Sequence, residues 1–135
     1  MNGLNRWIPR LIIATAVLHF VWAFAQPNAW AAIVADGFLA TVVDTGLPDF
    51  WIRESSVWFM ASGIALLALG TLTRQILRAT GRVPAQIGWY LLALGVPMCA
   101  LYFPVTGSWA LVVIGVLVLA AARRTEGAAV TAEAR

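Results

Sequence analysis

The chain has 135 residues, of which 61% are hydrophobic and only 11% charged, with a mean hydropathy of +0.84 and a net charge of +3. A soluble domain carries about one-quarter charged residues, so a core surrounded by water is excluded. The nine basic residues are all Arg and flank apolar runs instead of forming a basic domain, which argues against a nucleic-acid partner and for contact with anionic lipid headgroups.

The first predicted element is a membrane span over residues 8–25, introduced by Arg6 and Arg10. Its length approaches the ~20 residues that a hydrocarbon layer ~30 Å thick demands of a helix. Arg6 and Arg10, the apolar stretch 11–24 and Ala23-Phe24-Ala25 before Gln26 also imitate the three regions of a secretory leader. His19 and Trp22, which a discarded leader does not need, favour a retained span. Retained or cleaved, it exports the segment C-terminal to it.

That exported segment covers residues 26–54. Residues 30–43 read as a short helix, with Asp36, Ala40 and Asp44 at i, i+4 and i+8 forming a narrow stripe on a greasy surface. About 14 residues with an acid at the middle make a poor span, and counting it as one would export Arg74, Arg78 and Arg82. The prediction is an interfacial helix lying over the bundle as a lid. Gly46, Pro48 and Asp49 then mark a turn. Glu54, Ser55 and Ser56 are positioned to cap the second span, and Arg53, the lone exported cation among four acids, either to clamp the lid by a salt bridge or to receive an anionic headgroup or carboxylate.

The remaining spans are predicted at residues 55–73, 85–103 and 105–122, with a disordered tail over 125–135. Gly63 and Gly70, seven apart, mark a helix-contact face within or between chains, and Pro97 predicts a kink in the third span. Arg6, Arg10, Arg74, Arg78, Arg82, Arg123, Arg124 and Arg135 fall on one side and only Arg53 on the other, so the positive-inside rule places both termini in the cytoplasm. Trp7 and Trp89 read as anchors at the inner boundary and Trp22, Trp30, Trp51, Trp58 and Trp109 at the outer one. The outer group has a second reading as an aromatic wall. The fold class is therefore all-α: a single four-span membrane domain with a short outer helix between the first and second spans.

At 1.5 Å per residue, His19 lies about 9 Å below the outer end of its span. Ser62, Gly63, Pro97 and Gly115 are expected at the same depth, a layer short of bulk that leaves room for a cavity. His19 is the only ionisable residue deep in any span, which makes it the candidate catalytic residue, a proton relay or general base. Its rival reading is a neutral interhelical tie to a hydroxyl or a carbonyl. Candidate ligand-binding residues are Trp22, Asp36, Arg53, Glu54, Trp58, Ser62 and Pro97. Haem ligation fits poorly, since one His supplies a single axial position. Cys99 stands alone, without a C-x-x-C pair for thiol exchange, and the chain has no glycine-rich phosphate loop, H-E-x-x-H or His/Cys cluster. No metal and no cofactor is predicted.

Leu18-His19, Val57-Trp58-Phe59 with Gly63 and Leu66-Leu67 through Gly70, Pro84 with Gly88-Trp89, and Pro104, Gly107 and Trp109 run through nearly the whole chain. In this succession it resembles small bacterial four-helix membrane proteins catalogued as a domain of unknown function. More loosely it resembles DoxX-type proteins, which implies association with membrane redox complexes. The first resemblance implies four spans and a shared layout; it brings no established activity, so no catalytic residue is carried over from it.

Three function classes remain. The leading one is a binding or accessory protein of the cytoplasmic membrane, with an outward-facing apolar pocket near His19 and membrane lipids, a small apolar ligand, a membrane protein or a second copy as partner. The alternative is an enzyme acting on a lipid or isoprenoid with His19 as acid or base, which needs a carboxylate beside it. A small transporter ranks last, because no span carries an acid.

Overall fold

In a computed structural model the described residues are 3–102 and 105–133, with side chains described as far as residue 124. Five helices and no strand occur among them: α1 (Gly3–Ala25), α2 (Trp30–Ala35), α3 (Phe50–Thr80), α4 (Ala85–Tyr102) and α5 (Ser108–Glu133). Three of these, α1, α3 and α4, are long and apolar enough to cross a membrane. The fourth apolar run lies in α5. Helical backbone in α5 continues to Glu133, through most of the tail expected to be disordered, as its alanine-rich composition permits. Phe103 and Pro104 lie outside the described residues.

Two antiparallel hairpins make the body. α1 pairs with α3, and α4 with α5; α1 meets α5 to join the two. Each hairpin closes on glycines. A Cβ on Gly70 would stand 2.8 Å from Ile13 Cγ1, and one on Gly63 2.9 Å from His19 Cδ2, so these two glycines serve a contact within the chain. In the second hairpin Gly88 faces the Gly115 carbonyl and Gly95 faces Leu111 and Val112. Small residues let backbones approach where lipid gives no hydrophobic drive for helices to associate.

The antiparallel arrangement gathers Arg6, Arg10, Arg74, Arg78, Arg82, Arg123 and Arg124 at one end of the bundle and Arg53 at the other. The main buried cluster, including Ile8, Ile12, Leu77, Ile87, Leu91 and Val118, also lies toward the arginine-rich end. α3 is about 46 Å long, which exceeds a hydrocarbon core of ~30 Å.

Several sequence expectations change. The lid helix is six residues, not fourteen: α2 stops in a Schellman motif, with Gly37 at φ +86°, its N–H bonded to Val34 O and the Phe38 N–H to Ile33 O. Phe38 and Ala40 then also take positive φ, 69° and 56°, so Asp36, Ala40 and Asp44 share no helical stripe. α3 starts at Phe50, which puts Ser55 and Ser56 inside it; both hydroxyls donate back to Ile52 O instead of capping. Gly115 sits beside Gly88 and Leu92, toward the arginine-rich end, and therefore not in the layer of His19. Pro97 lies inside α4 and is exposed, outside any layer with His19.

Candidate functional site

Segment 26–49 is bound to the first turns of α3, and Arg53 is the centre of that binding. The residue is 5% exposed, although it stands near the end of its helix. Its Nη2 meets Asp36 Oδ2 at 2.7 Å, its Nε meets Asp49 Oδ2 at 2.7 Å, and its Nη1 donates to the Thr41 carbonyl at 3.4 Å. A planar guanidinium offers five donors in fixed directions, so one side chain ties three separate points of the strap. The chain wraps around this cation, which gives a physical reason for the positive-φ residues that end α2 so early. Ser56, one turn further along, accepts from the Ala29 N–H at 3.0 Å and fixes the start of the strap. Asp44 bonds only its own turn, accepting from the Gly46 N–H.

Beneath the strap lies an open-sided apolar groove of about 370 Å³. One wall is Trp30, Ile33, Phe38, Thr41 and Val42 of the strap; the other is Val57, Met60, Ala61 and Ile64 of α3. The α3 residues recur at i, i+3, i+4 and i+7, a single helix face. Ile33 and Phe38 are the positions that a Schellman motif brings into hydrophobic contact, so the turn that ends α2 also shapes this wall. Thr41 belongs to both features: it lines the groove while its carbonyl accepts from Arg53.

Among the seven tryptophans, Trp7, Trp22, Trp51, Trp58, Trp89 and Trp109 are all about half exposed or more, as interface anchors require. Trp30 differs. It is partly buried, and its Nε1 is a buried donor without a partner among the described residues. Such a group loses its hydration on folding and gains nothing in return.

His19 belongs to another surface of α3. Its Nε2 lies 2.9 Å from the Phe59 carbonyl and 3.2 Å from Ser62 Oγ, and its ring stacks on Phe59 with centroids 3.9 Å apart and planes 8° from parallel. Ser62 itself donates to Phe59 O at 2.8 Å, so imidazole and hydroxyl converge on one acceptor. With Nε2 as the donor these contacts tie α1 to α3. Asp36 and Asp49 are engaged with Arg53, and no bond links His19 to a carboxylate among the described residues.

Of the residues singled out from the sequence, Asp36 and Arg53 are thus brought together, as are His19 and Ser62, but the two pairs face different ways. Trp22, Trp58 and Pro97 are exposed, and Glu54 sits half-buried in the second turn of α3. None of the candidate catalytic or ligand-binding residues lines the groove. Ala61 and Ile64 carried no signal in the sequence because an apolar face on an apolar helix looks like any other; Trp30 was visible only among the outer tryptophans, read as anchors or as an aromatic wall.

The profile of a family of unknown function, DUF6463, matches residues 3–125. The chain belongs to this family. The match spans α1 to α4, most of α5, the strap and Arg53, so strap and clamp lie within what DUF6463 covers. No curated protein and no solved structure matches the chain. The looser likeness to DoxX-type proteins finds no support in these comparisons.

Proposed function

We propose that the chain is a four-span protein of the cell membrane, termini in the cytoplasm, that holds the apolar tail of a lipid or isoprenoid in the groove under its outer strap, as a binding or accessory protein. The observation that carries this reading is the groove itself: about 370 Å³, walled by apolar side chains and kept in shape by a buried arginine clamp. Ligand pockets run from about 300 to 1,000 Å³, so the groove suits one chain of a lipid and not two. The arginine excess at the opposite end supports an outer position for the strap. An occupant with an acceptor oxygen would also supply the partner that Trp30 Nε1 lacks.

His19 takes the structural role in this reading, because a stacked, doubly bonded imidazole without a carboxylate is better suited to joining two helices than to moving protons. The test is native mass spectrometry of protein extracted from membranes. Wild type and His19→Ala retain an apolar ligand; Ala61→Trp, which fills the groove from an exposed position, loses it. Retention by Ala61→Trp, or loss by His19→Ala in a folded protein, overturns the assignment.

A further inference from the structure

The arginine-rich end has a cleft of its own. It measures about 280 Å³ and lies where α3 turns into α4, against the side of α5; Ile76, Val83, Pro84 and Ala122 supply apolar walls, and Arg82 stands at its lining. The elbow is stiff. Gly81 takes φ +71° to end α3, its N–H bonds Leu77 O at 2.8 Å, and the Thr80 hydroxyl accepts from the Arg82 N–H while donating within the turn.

Among the described side chains, this end carries arginines and no acid. Seven arginines gather here, and among the described residues none of them forms an ion pair; both ion pairs belong to Arg53. Of the six acids, Asp36, Asp44, Asp49 and Glu54 sit at the far end, and Glu126 and Glu133 lie in the tail, whose side chains are outside the described residues. Arg123 and Arg124 directly succeed Ala122 at the cleft, and α4 begins there with no acid in its first turn.

We infer that this elbow binds one anionic phospholipid of the surrounding bilayer, its acyl chain in the cleft and its phosphate against Arg82. Apolar walls beneath a cationic rim match the two halves of such a lipid, and basic pockets between helices recognise anionic headgroups in this way. A zwitterionic lipid offers the same chain without the net charge, so it fits the walls and not the rim. The site is separate from the groove under the strap, at the other end of the bundle.

The test uses delipidated full-length protein offered equal amounts of phosphatidylglycerol and phosphatidylcholine, with bound mass read by native mass spectrometry. Wild type retains phosphatidylglycerol in preference. Arg82→Gln weakens that retention by about fivefold, the effect of one arginine near a charged membrane surface. Arg10→Gln removes the same charge from the same end, but at a guanidinium packed 5.4 Å from the Trp7 ring centre, and changes retention less. Ala122→Trp fills the cleft with every charge in place and abolishes the adduct, whereas Ala61→Trp leaves it intact. Equal retention of the two lipids, equal loss in Arg82→Gln and Arg10→Gln, or an adduct that survives Ala122→Trp overturns the site.

Discussion

Gly88→Ala tests whether the glycine seams hold the two hairpins closed. A Cβ at this position would stand 2.9 Å from the carbonyl oxygen of Gly115 and 2.9 Å from Leu119 Cγ. Leu119 can turn aside; a backbone carbonyl cannot. Ordinary contact begins at 3.4 Å, so α4 must retreat from α5 by about 0.5 Å. A gap of about that size already forfeits a quarter of the dispersion energy of each contact it opens. Overpacking of this kind costs about 1–3 kcal/mol. Against it stands a gain of about 1 kcal/mol, because alanine is the better helix former. The expected net change is a destabilisation of about 1 kcal/mol, read by reversible unfolding in mixed micelles monitored through tryptophan fluorescence. Ala93→Gly, on an exposed stretch of the same helix, measures the propensity term alone and should lose about 1 kcal/mol. The reasoning is refuted if Gly88→Ala is more stable than wild type by the amount that Ala93→Gly loses, since the helices then do not meet at Gly88.

The half of the molecule around Arg53 and His19 supplies three further expected outcomes. Arg53→Gln should raise hydrogen exchange across residues 36–49 more than Asp36→Asn does, because it leaves two carboxylates unpaired, and the double variant should be milder than the sum of the single effects; strict additivity would break the pairing. His19→Ala should cost about 1–3 kcal/mol in the same unfolding assay, combining an interhelical hydrogen bond of about 0.6–1.7 kcal/mol with a lost ring stack of about 0.5–1.5 kcal/mol; unchanged stability would remove the tie. Trp30→Phe deletes an unpartnered buried donor while keeping an aromatic wall, so delipidated protein should melt at the same temperature or higher, and a fall in melting temperature would mean that Nε1 has a partner after all.

The Arg53 clamp was half legible. A lone cation in a segment with four acids is expected to pair with some of them, and the sequence places Asp36, Asp44, Asp49 and Glu54 within reach. Which two it takes depends on how the strap folds, and the strap folds against its own local pattern: the helix suggested by residues 30–43 gives way at Gly37 because the carbonyl of Thr41 and the carboxylate of Asp36 both turn to one guanidinium. His19 shows the same division. Its isolation in an apolar run marked it, and Ser62 was at the right depth, but Phe59, which supplies both the acceptor and the stacking ring, was marked only as part of the Val57-Trp58-Phe59 run and not as a partner of His19.

Hydropathy and charge are properties of the chain taken one residue at a time, so apolar helices, an all-α fold and the separation of Arg53 from the other arginines could be read from the residues alone. Rotation and register are properties of pairs. That Gly63 and Gly70 face α1, that Gly115 meets Gly88 and not His19, and that a groove opens on a different side of α3 from the imidazole were decided only when the helices packed. Side chains on a membrane helix are apolar in every direction, and the hydrophobic stripe that orients a helix in water is missing. Close approach at glycine, and the closure of charge around one buried arginine, set the orientation in its place.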